Sequence, residues 1–165
     1  SNLKAPQVKE AAHAARAKKL TPFISAQDEY SILVRDVEAE LIPALEAEGM
    51  GLLPYFPLAS GLLTGKYKHG GAIPPGTRMA LIKRLADRYM TDENWAIVDK
   101  LQALCDARGH TMLELAFSWL ASRPCLSSVI AGATKPEQIE QNVKAVDWKL
   151  SAGDLAQIDE ITKKA

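Results

Sequence analysis

The apolar residues of this chain follow two patterns, short continuous runs and longer segments with a period near 3.6 residues. The short runs lie at Phe23–Gln27, Gly51–Tyr55 and Leu126–Ala131 and are typical of buried parallel strands. Helical periodicity separates them, so strands and helices alternate. We therefore predict an α/β fold in which these three strands are parallel, lie in consecutive order and are covered by helices.

Capping signals predict where the helices begin and end. Thr111 with Glu114 and Thr134 with Glu137 have the spacing of capping boxes. Pro43 predicts a kink or a boundary in its helix, because proline cannot donate an amide hydrogen bond. The predicted helices are Ala5–Lys19, Val37–Glu48, Asp92–Ala107, Met112–Ala121, one that starts at Thr134 and Pro136, and one from Ser151 to about Ile161.

The second predicted strand runs into a glycine-containing loop. Leu52 to Tyr67 reads LLPYFPLASGLLTGKY, with a break at Pro57 followed by Ser60, Gly61 and Lys66. A strand that ends in such a loop leaves backbone N–H groups unpaired and lets an anion approach closely. This stretch is a candidate phosphate loop, to which Lys66 adds a cation.

A similar arrangement follows the third predicted strand. Ser127 to Asn142 reads SSVIAGATKPEQIEQN, with Gly132 before a helix start at Thr134 and with Lys135 beside it. A helix N-terminus next to a lysine favours anions, and β/α barrels often build a phosphate site from the loops after their last two strands. From the residues alone, the alternative is that both loops are ordinary strand-to-helix turns.

Three stretches of the chain resemble the C-terminal half of an aldo-keto reductase: PLASGLLTGKY, IAGATKPEQIEQN and, upstream, Ser25-Ala26-Gln27-Asp28-Glu29-Tyr30. They occur in the right order and spacing, and the resemblance covers nearly the whole chain. The family fold is a (β/α)8 TIM barrel. The resemblance therefore implies a single domain over residues 1–165 that forms part of such a barrel, roughly strands 6 to 8 with their helices. It also implies binding of NADP(H) in an extended form, without the GxGxxG fingerprint, which this sequence lacks.

The resemblance also implies roles for individual residues in cofactor binding. The residue matching Gln27 hydrogen-bonds the nicotinamide carboxamide together with those matching Ser1 and Asn2, and an amide side chain suits this because it both donates and accepts. Tyr55 matches an aromatic residue that stacks on one face of the nicotinamide ring; a plain core tyrosine is the alternative. The predicted cofactor-binding residues are Ser1, Asn2, Gln27, Tyr55, Pro57, Leu58, Ser60, Gly61, Lys66, Gly132, Thr134, Lys135, Gln138, Gln141 and Asn142.

The adenosine end of the cofactor maps onto Lys135, Gln138, Gln141 and Asn142. Many family members have an arginine at the position that matches Gln138, and this arginine binds the 2′-phosphate with two hydrogen bonds. The branch that resembles potassium-channel β-subunits has a glutamine there and also binds NADP. The resemblance thus implies NADP(H), with selectivity resting mainly on Lys135 and with NAD as the second candidate.

The resemblance implies no catalytic residue in this chain. The family's aspartate, tyrosine, lysine and histidine come from its first four strands, and Tyr30, Tyr67 and Tyr89 do not match the catalytic tyrosine. A catalytic pair formed by Asp28 and Glu29 is discounted, because adjacent strand residues point to opposite faces. The parent enzyme would reduce aldehydes or ketones with NADPH, while the isolated chain would have no catalytic activity. The alternatives are a non-catalytic NADP-binding or regulatory half-barrel and an unrelated phosphate-binding barrel fragment.

The start of the chain has three interpretations. Ser1-Asn2 is the beginning of a piece of a longer chain, a cloning scar, or the end of the family's fifth strand, which typically reads Gly-x-Ser-Asn; we favour the last. Three strands of an eight-stranded barrel would leave two open sheet edges. We therefore expect Ile24, Leu53 and Val129 to lose inward-facing partners, and we expect self-association through the edges.

The stretch from Lys68 to Arg88 has little periodicity and five glycine or proline residues, which predicts a long loop. The family has a variable loop here, over 68–90, that closes over cofactor and substrate. His13 and His69 are isolated from other ligand-type residues, so no metal site is predicted.

Composition narrows the classes of function. A hydrophobic fraction of 47% and a charged fraction of 24% are those of a soluble globular protein, and the net charge of zero argues against a nucleic-acid surface. No apolar run reaches the roughly 18 residues of a membrane span, and no signal-peptide pattern opens the chain, so we expect a cytoplasmic protein. Cys105 and Cys125 do not form a disulfide framework, and Cys105 is predicted to lie in the core.

Overall fold

Two short parallel strands form the centre of the fold in a computed structural model, which describes residues 1–163. Strand β1 is Ser25–Glu29 and strand β2 is Gly51–Tyr55. They pair in register, with Ser25 opposite Gly51 and Glu29 opposite Tyr55. The parallel orientation of the first two predicted strands is confirmed, although β1 begins two residues later than predicted and ends two residues later.

The other regular elements of the fold are helices and short 3-10 turns. In the described residues the helices are α1 (Ala5–Ala17), α2 (Leu41–Ala47), α3 (Arg78–Leu81), α4 (Lys83–Tyr89), α5 (Asp92–Arg108), α6 (Met112–Ala121), α7 (Pro136–Lys144) and α8 (Ala152–Thr162). Short 3-10 turns occur at Asp36–Glu38 and Ala59–Thr64. Thr111 and Glu114 form the predicted capping box of α6, and the predicted bounds of that helix are confirmed.

The prediction of a regular strand at Leu126–Ala131 is wrong. The segment does run parallel to β2, because Leu52 N donates to Cys125 O (2.8 Å) and Ser127 N donates to Leu52 O (2.9 Å). It forms an isolated bridge rather than a strand. The consecutive order of the three segments in space is as predicted.

Pro54 explains why the pairing stops. The next hydrogen bond of a parallel ladder would come from the amide of residue 54, and proline has no N–H. The segment next meets β2 where Ile130 N donates to Pro54 O (3.0 Å), one residue later than a regular ladder places it. The missing donor thus lets the third segment bulge away from the sheet.

Two further predictions are wrong: a predicted continuous helix is divided, and part of a predicted loop is helical. The helix predicted over Val37–Glu48 is split into the Asp36–Glu38 turn and α2, which starts two residues before Pro43. The predicted loop from Lys68 to Arg88 is helical in its second half, where α3 and α4 lie.

The cap of α7 also differs from the prediction. Its N-cap is Lys135 rather than Thr134, and Glu137 does not reach back. Instead Gln138 Oε1 accepts hydrogen bonds from Thr134 N (2.7 Å) and Thr134 Oγ1 (3.2 Å). The polar contact at this helix start is therefore displaced by one residue.

The core cluster includes buried residues of both strands and of α2, α5 and α6. Trp119 and Cys105 are fully buried, which confirms the placement of Cys105. Burial raises the pKa of the Cys105 thiol to about 12. Ile24 is 78% exposed. However, the strand register puts Ile24 and Leu53 on opposite faces of the sheet, so the prediction that both point inward is wrong. Val129 packs partly against the core.

Within residues 1–163, no helix is both long enough and apolar enough to cross a membrane.

Asp154 gives the start of α8 a stability that depends on pH. Its carboxylate accepts hydrogen bonds from Ser151 Oγ (2.6 Å) and Arg108 Nε (2.9 Å). These bonds, from Ser151 first and then Arg108, lower the pKa of Asp154 below its usual value of 3.8. Because the pKa of this carboxyl is lower in the folded state than in the unfolded state, its ionised form stabilises the fold at any pH above the unfolded-state pKa. This contribution is lost as the pH falls through the folded-state pKa.

We expect Asp154→Ala to lower the free energy of unfolding by about 1–2 kcal/mol at pH 7, the scale of a lost helix cap. The difference from the wild type should shrink as the pH falls below 3.8, in urea unfolding curves measured across that range. Asp147→Ala removes an exposed carboxylate and is the control, with a change within about 0.5 kcal/mol. A loss at Asp154 that does not depend on pH would contradict the ionic cap.

The proline interruption can be tested by restoring the donor. We expect the amide of residue 54 in Pro54→Val to exchange slowly with solvent, because it can donate to the third segment as the next bond of the ladder. Hydrogen exchange monitored by NMR gives the result directly. Leu52, whose amide already donates to Cys125, is the internal reference. Fast exchange at residue 54 beside a protected Leu52 would show that another constraint ends the pairing.

Candidate functional site

The carboxyl ends of β1 and β2 meet at one edge of the sheet and carry Gln27 and Tyr55. Side chains alternate along β1, so that Ala26 and Asp28 are buried while Gln27 is exposed on the other face. In the register of the two strands, Gln27 pairs with Leu53, and Tyr55 lies two residues further along β2. Gln27 and Tyr55 therefore lie on the same open face.

Ser1 and Asn2 lie beside this edge. Ser1 Oγ (2.8 Å) and Asn2 N (3.1 Å) both donate to Gln27 O. Tyr55 Oη donates to Asn2 Oδ1 (2.8 Å). The structure thus brings together the four residues predicted for the nicotinamide end, which we call the amide cluster (Ser1, Asn2, Gln27 and Tyr55).

Two contacts hold the Tyr55 side chain, the hydrogen bond to Asn2 and the packing of Phe56. Phe56 packs edge-on against it, with ring centroids 5.3 Å apart. Burial raises the pKa of the Tyr55 phenol, and the nearby carboxylates of Glu29 and Asp28 add to the shift. The phenol is therefore a stable hydrogen-bond donor to Asn2, and its ring orientation is set before any ligand arrives.

Glu29 is a residue of this edge that the sequence reasoning missed. Its carboxylate accepts hydrogen bonds from Tyr89 Oη and from Arg88 Nη2, the latter at 2.6 Å. Both donors belong to α4, inside the stretch predicted to be a loop. The available signal was the apolar spacing of Leu85, Ala86 and Tyr89, which are all buried.

Asp28 and Glu29 do not act as a pair in the structure. Asp28 is buried on the helix-facing side, where burial raises the pKa of its carboxyl. Glu29 faces the other way, toward α4. This arrangement agrees with the reasoning that discounted a catalytic carboxylate pair.

The loop after β2 has an unusual backbone. Positive φ angles occur at Phe56 (52°), Ala59 (45°), Ser60 (56°), Gly61 (101°) and Gly65 (76°). Non-glycine residues rarely adopt this region, and each costs of the order of 1–3 kcal/mol when the surroundings enforce it. Such strain clusters at ligand sites, so the backbone supports a binding role for this loop.

Gly61 and Lys66 meet within the same loop. A Cβ added at Gly61 would stand 2.9 Å from Lys66 Nζ, so the ammonium group lies directly against this glycine. Ser60 is 6% exposed, and its hydroxyl has no hydrogen-bond partner among the described residues. Pro57 is buried and Leu58 partly buried. The loop therefore combines a cation with a buried, unpaired hydroxyl.

The third group of predicted residues lies at the start of α7. Gly132 follows two residues after Ile130, whose amide pairs with Pro54, so this turn lies near the carboxyl end of β2. Thr134, Lys135, Gln138 and Gln141 are exposed, and Asn142 is partly exposed. Among the described residues, no hydrogen bond or ion pair joins this group to the loop of Ser60 and Gly61. A ligand that spans both would be held by two separate elements.

No group of three or more histidine, cysteine or acidic residues within the described part of the chain is arranged to hold a metal ion. Two cavities among the described residues lie mainly outside these clusters. One, of about 80 Å³, lies between α1 and β1 and includes Ser1 in its lining. The other, of about 310 Å³, lies between Arg35 and Asp159.

Comparison with known proteins places the sequence in a family. The sequence model of the Aldo/keto reductase family matches residues 1–163. A probable voltage-gated potassium channel subunit beta of Arabidopsis thaliana is 45% identical over 150 residues, which are 89% of this chain and 45% of that protein. A putative subunit of the same kind from Schizosaccharomyces pombe is 37% identical over 162 residues, 94% of this chain and 46% of that protein.

An L-glyceraldehyde 3-phosphate reductase of Escherichia coli K12 is 36% identical over 145 residues, which are 84% of this chain and 41% of that protein. The chain therefore spans a little under half the length of the curated relatives it matches. Because the family match extends over residues 1–163, the chain belongs to the aldo/keto reductase family.

Proposed function

We propose that this chain is the C-terminal, cofactor-binding half of an NADP(H)-dependent aldo-keto reductase barrel. The observation that carries the proposal is the amide cluster, in which Ser1, Asn2 and Tyr55 converge at the end of β1 beside Gln27. The group offers amide donors and acceptors next to a flat ring, which is the chemistry that a nicotinamide carboxamide requires. The whole protein would reduce an aldehyde or ketone to an alcohol.

The loop after β2 suits the diphosphate part of the cofactor. The unpaired Ser60 hydroxyl and the Lys66 ammonium beside Gly61 are donors that fit phosphate oxygens. Gly61 has no side chain, which lets the Lys66 ammonium lie directly against the backbone of the loop. Pro57 and Leu58 would position the first residues of this loop.

The start of α7 suits the adenosine end. Lys135 would pair with a 2′-phosphate, while Gln138, Gln141 and Asn142 would contact the adenosine. In the structure Gln138 already bonds Thr134, so its amide is oriented along the turn that follows Gly132. Selectivity for NADP(H) over NAD(H) would rest on Lys135.

The chemistry divides between this half and the rest of the barrel. NADPH, when bound, supplies a hydride. Tyr55 would cover one face of the nicotinamide ring and leave the other face open to the carbonyl carbon. The amide cluster would fix the rotation of the ring through its carboxamide. The proton for the carbonyl oxygen would come from the barrel strands that this chain does not include, which we propose carry the family's tyrosine, aspartate, lysine and histidine.

The substrate of the whole protein is proposed as a small carbonyl compound. One relative is named as a reductase of L-glyceraldehyde 3-phosphate, so a short phosphorylated aldehyde is the first substrate to assay. We also retain the prediction that the 165-residue chain alone self-associates through its open edges. Leu20, Phe23 and Ile24, next to β1, are all more than 60% exposed.

The role of Lys135 can be tested by cofactor selectivity. We expect Lys135→Ala to weaken NADP(H) binding by about 1–3 kcal/mol, the scale of a hydrogen bond to a charged group, and to leave NAD(H) binding almost unchanged. Fluorescence titration with both cofactors measures the two losses. Lys144→Ala removes an exposed lysine at the other end of α7 and is the matched control. Equal losses for both cofactors would contradict a contact with the 2′-phosphate.

The loop can be tested at Gly61. We expect Gly61→Ala to weaken NADPH binding several-fold and to lower stability by about 1–2 kcal/mol, because a φ of 101° disfavours a side chain and the new methyl group displaces Lys66. Gly70→Ala is the control, since Gly70 has a φ of 69° and no atom within 4 Å of an added Cβ. The Gly70→Ala variant should lose stability but keep the wild-type affinity for NADPH. Equal effects of the two variants on affinity would show that Gly61 and Lys66 do not contact the cofactor.

A further inference from the structure

Glu29 joins β1 to a segment that is distant in sequence. Its carboxylate, with a side chain 12% exposed, accepts hydrogen bonds from two consecutive residues of α4. Arg88 donates from Nη2 at 2.6 Å, and Tyr89, almost fully buried, donates from its hydroxyl. Burial raises the pKa of the Tyr89 phenol, so this group remains a donor at neutral pH. We call these three residues the Glu29 clamp.

The segment held by the clamp covers the loop after β2. Helices α3 and α4 both pack against the Ala59–Thr64 turn, with Met79 and Leu85 buried. At the start of the segment, the Arg78 guanidinium lies 5.3 Å from the centre of the Phe56 ring. At its end, Asn94 Nδ2 donates to Tyr89 O (2.9 Å). The segment thus runs from the candidate phosphate loop to the carboxyl end of β1.

Glu29 places this connection beside the candidate site. Glu29 pairs with Tyr55 in the register of the two strands, so the clamp lies beside the ring proposed to stack on nicotinamide. A cofactor held by both the amide cluster and the loop would lie next to the Arg78–Tyr89 segment. Moving this segment would uncover the loop, whereas the clamp holds it in place with two hydrogen bonds to one carboxylate, both of them charge-assisted.

We propose that Glu29 is a positioning residue that holds the Arg78–Tyr89 segment over the Pro57–Lys66 loop and so slows the release of the dinucleotide. The proposal rests on the proposed function, since it concerns the same cofactor. It assigns to Glu29, Arg88 and Tyr89 a kinetic role that is separate from the contacts that bind the nicotinamide or the 2′-phosphate.

The test uses the full-length protein with NADPH as the probe. Glu29→Gln keeps the shape of the side chain and removes its charge, and Tyr89→Phe removes one donor while keeping the ring. Lys83→Ala is the matched control, because it breaks an exposed ion pair with Asp87 in the same helix. Stopped-flow fluorescence after mixing with excess NADP⁺ gives the release rate, and hydrogen exchange of residues 78–90 reports on the segment itself.

We expect Glu29→Gln to speed NADPH release about tenfold or more, on the scale of a lost charge-assisted hydrogen bond. Tyr89→Phe should speed release in the same direction, with faster exchange over residues 78–90 in both variants. The double variant should release NADPH more slowly than the product of the single effects predicts, because the two residues share one bond. Lys83→Ala should stay within about twofold of the wild type.

Release rates of Glu29→Gln and Tyr89→Phe within twofold of a wild type that binds NADPH would overturn the clamp, whether or not hydrogen exchange changes. An equal effect of Lys83→Ala would also overturn it, because the effect would then belong to α4 in general. A wild type that binds no NADPH would overturn the proposed function together with the clamp, and this outcome is distinct because it appears before any variant is compared.

Discussion

The register between β1 and β2 determines where the candidate site lies. It begins where Gly51 N donates to Ile24 O and ends with Glu29 opposite Tyr55. A shift by one residue would move every side chain of a strand to the other face. Gln27 would then turn toward the helices, and Asp28 would enter the open face. The cluster at the carboxyl edge exists because Leu52, fully buried on the helix side, prevents that shift.

The strained loop after β2 depends on the same burial. Its positive φ angles at Phe56, Ala59 and Ser60 disfavour the folded backbone. Ala59, Leu62 and Leu63 are almost fully buried, and the removal of these side chains from water offsets the strain. Packing from α3 and α4 provides part of that burial. The residues that cover the loop are thus also the residues that keep its backbone in shape.

Local signals in the sequence predicted the helices with strong caps. The box of Thr111 and Glu114 gives the start of α6 without ambiguity, because two orphan backbone donors are satisfied there at once. Local signals did not predict the structure where a proline affects a segment that is distant in sequence. Pro54 ends the pairing of a segment about seventy residues later, an effect that appears only when the two segments are neighbours. The short helices α3 and α4 were also not predicted, because helices of four and seven residues give only a brief apolar spacing.

The candidate site was predictable in part. The resemblance to the family predicted Ser1, Asn2, Gln27 and Tyr55, which the structure brings together. Residue patterns alone would not have grouped them, since they come from three separate segments. The partners of Glu29 could not be found in this way, because they lie in the stretch that was interpreted as a loop.

The surface character of α7 has an evolutionary consequence. None of its residues in the described structure is buried, and even Ile139 and Val143 are more than half exposed. Substitutions on this helix therefore disturb few packing contacts. If α7 selects the dinucleotide, a lineage can exchange one cofactor preference for another by drift at these positions, because folding imposes little selection there. Cofactor preference would then be among the most readily diverging traits of this protein.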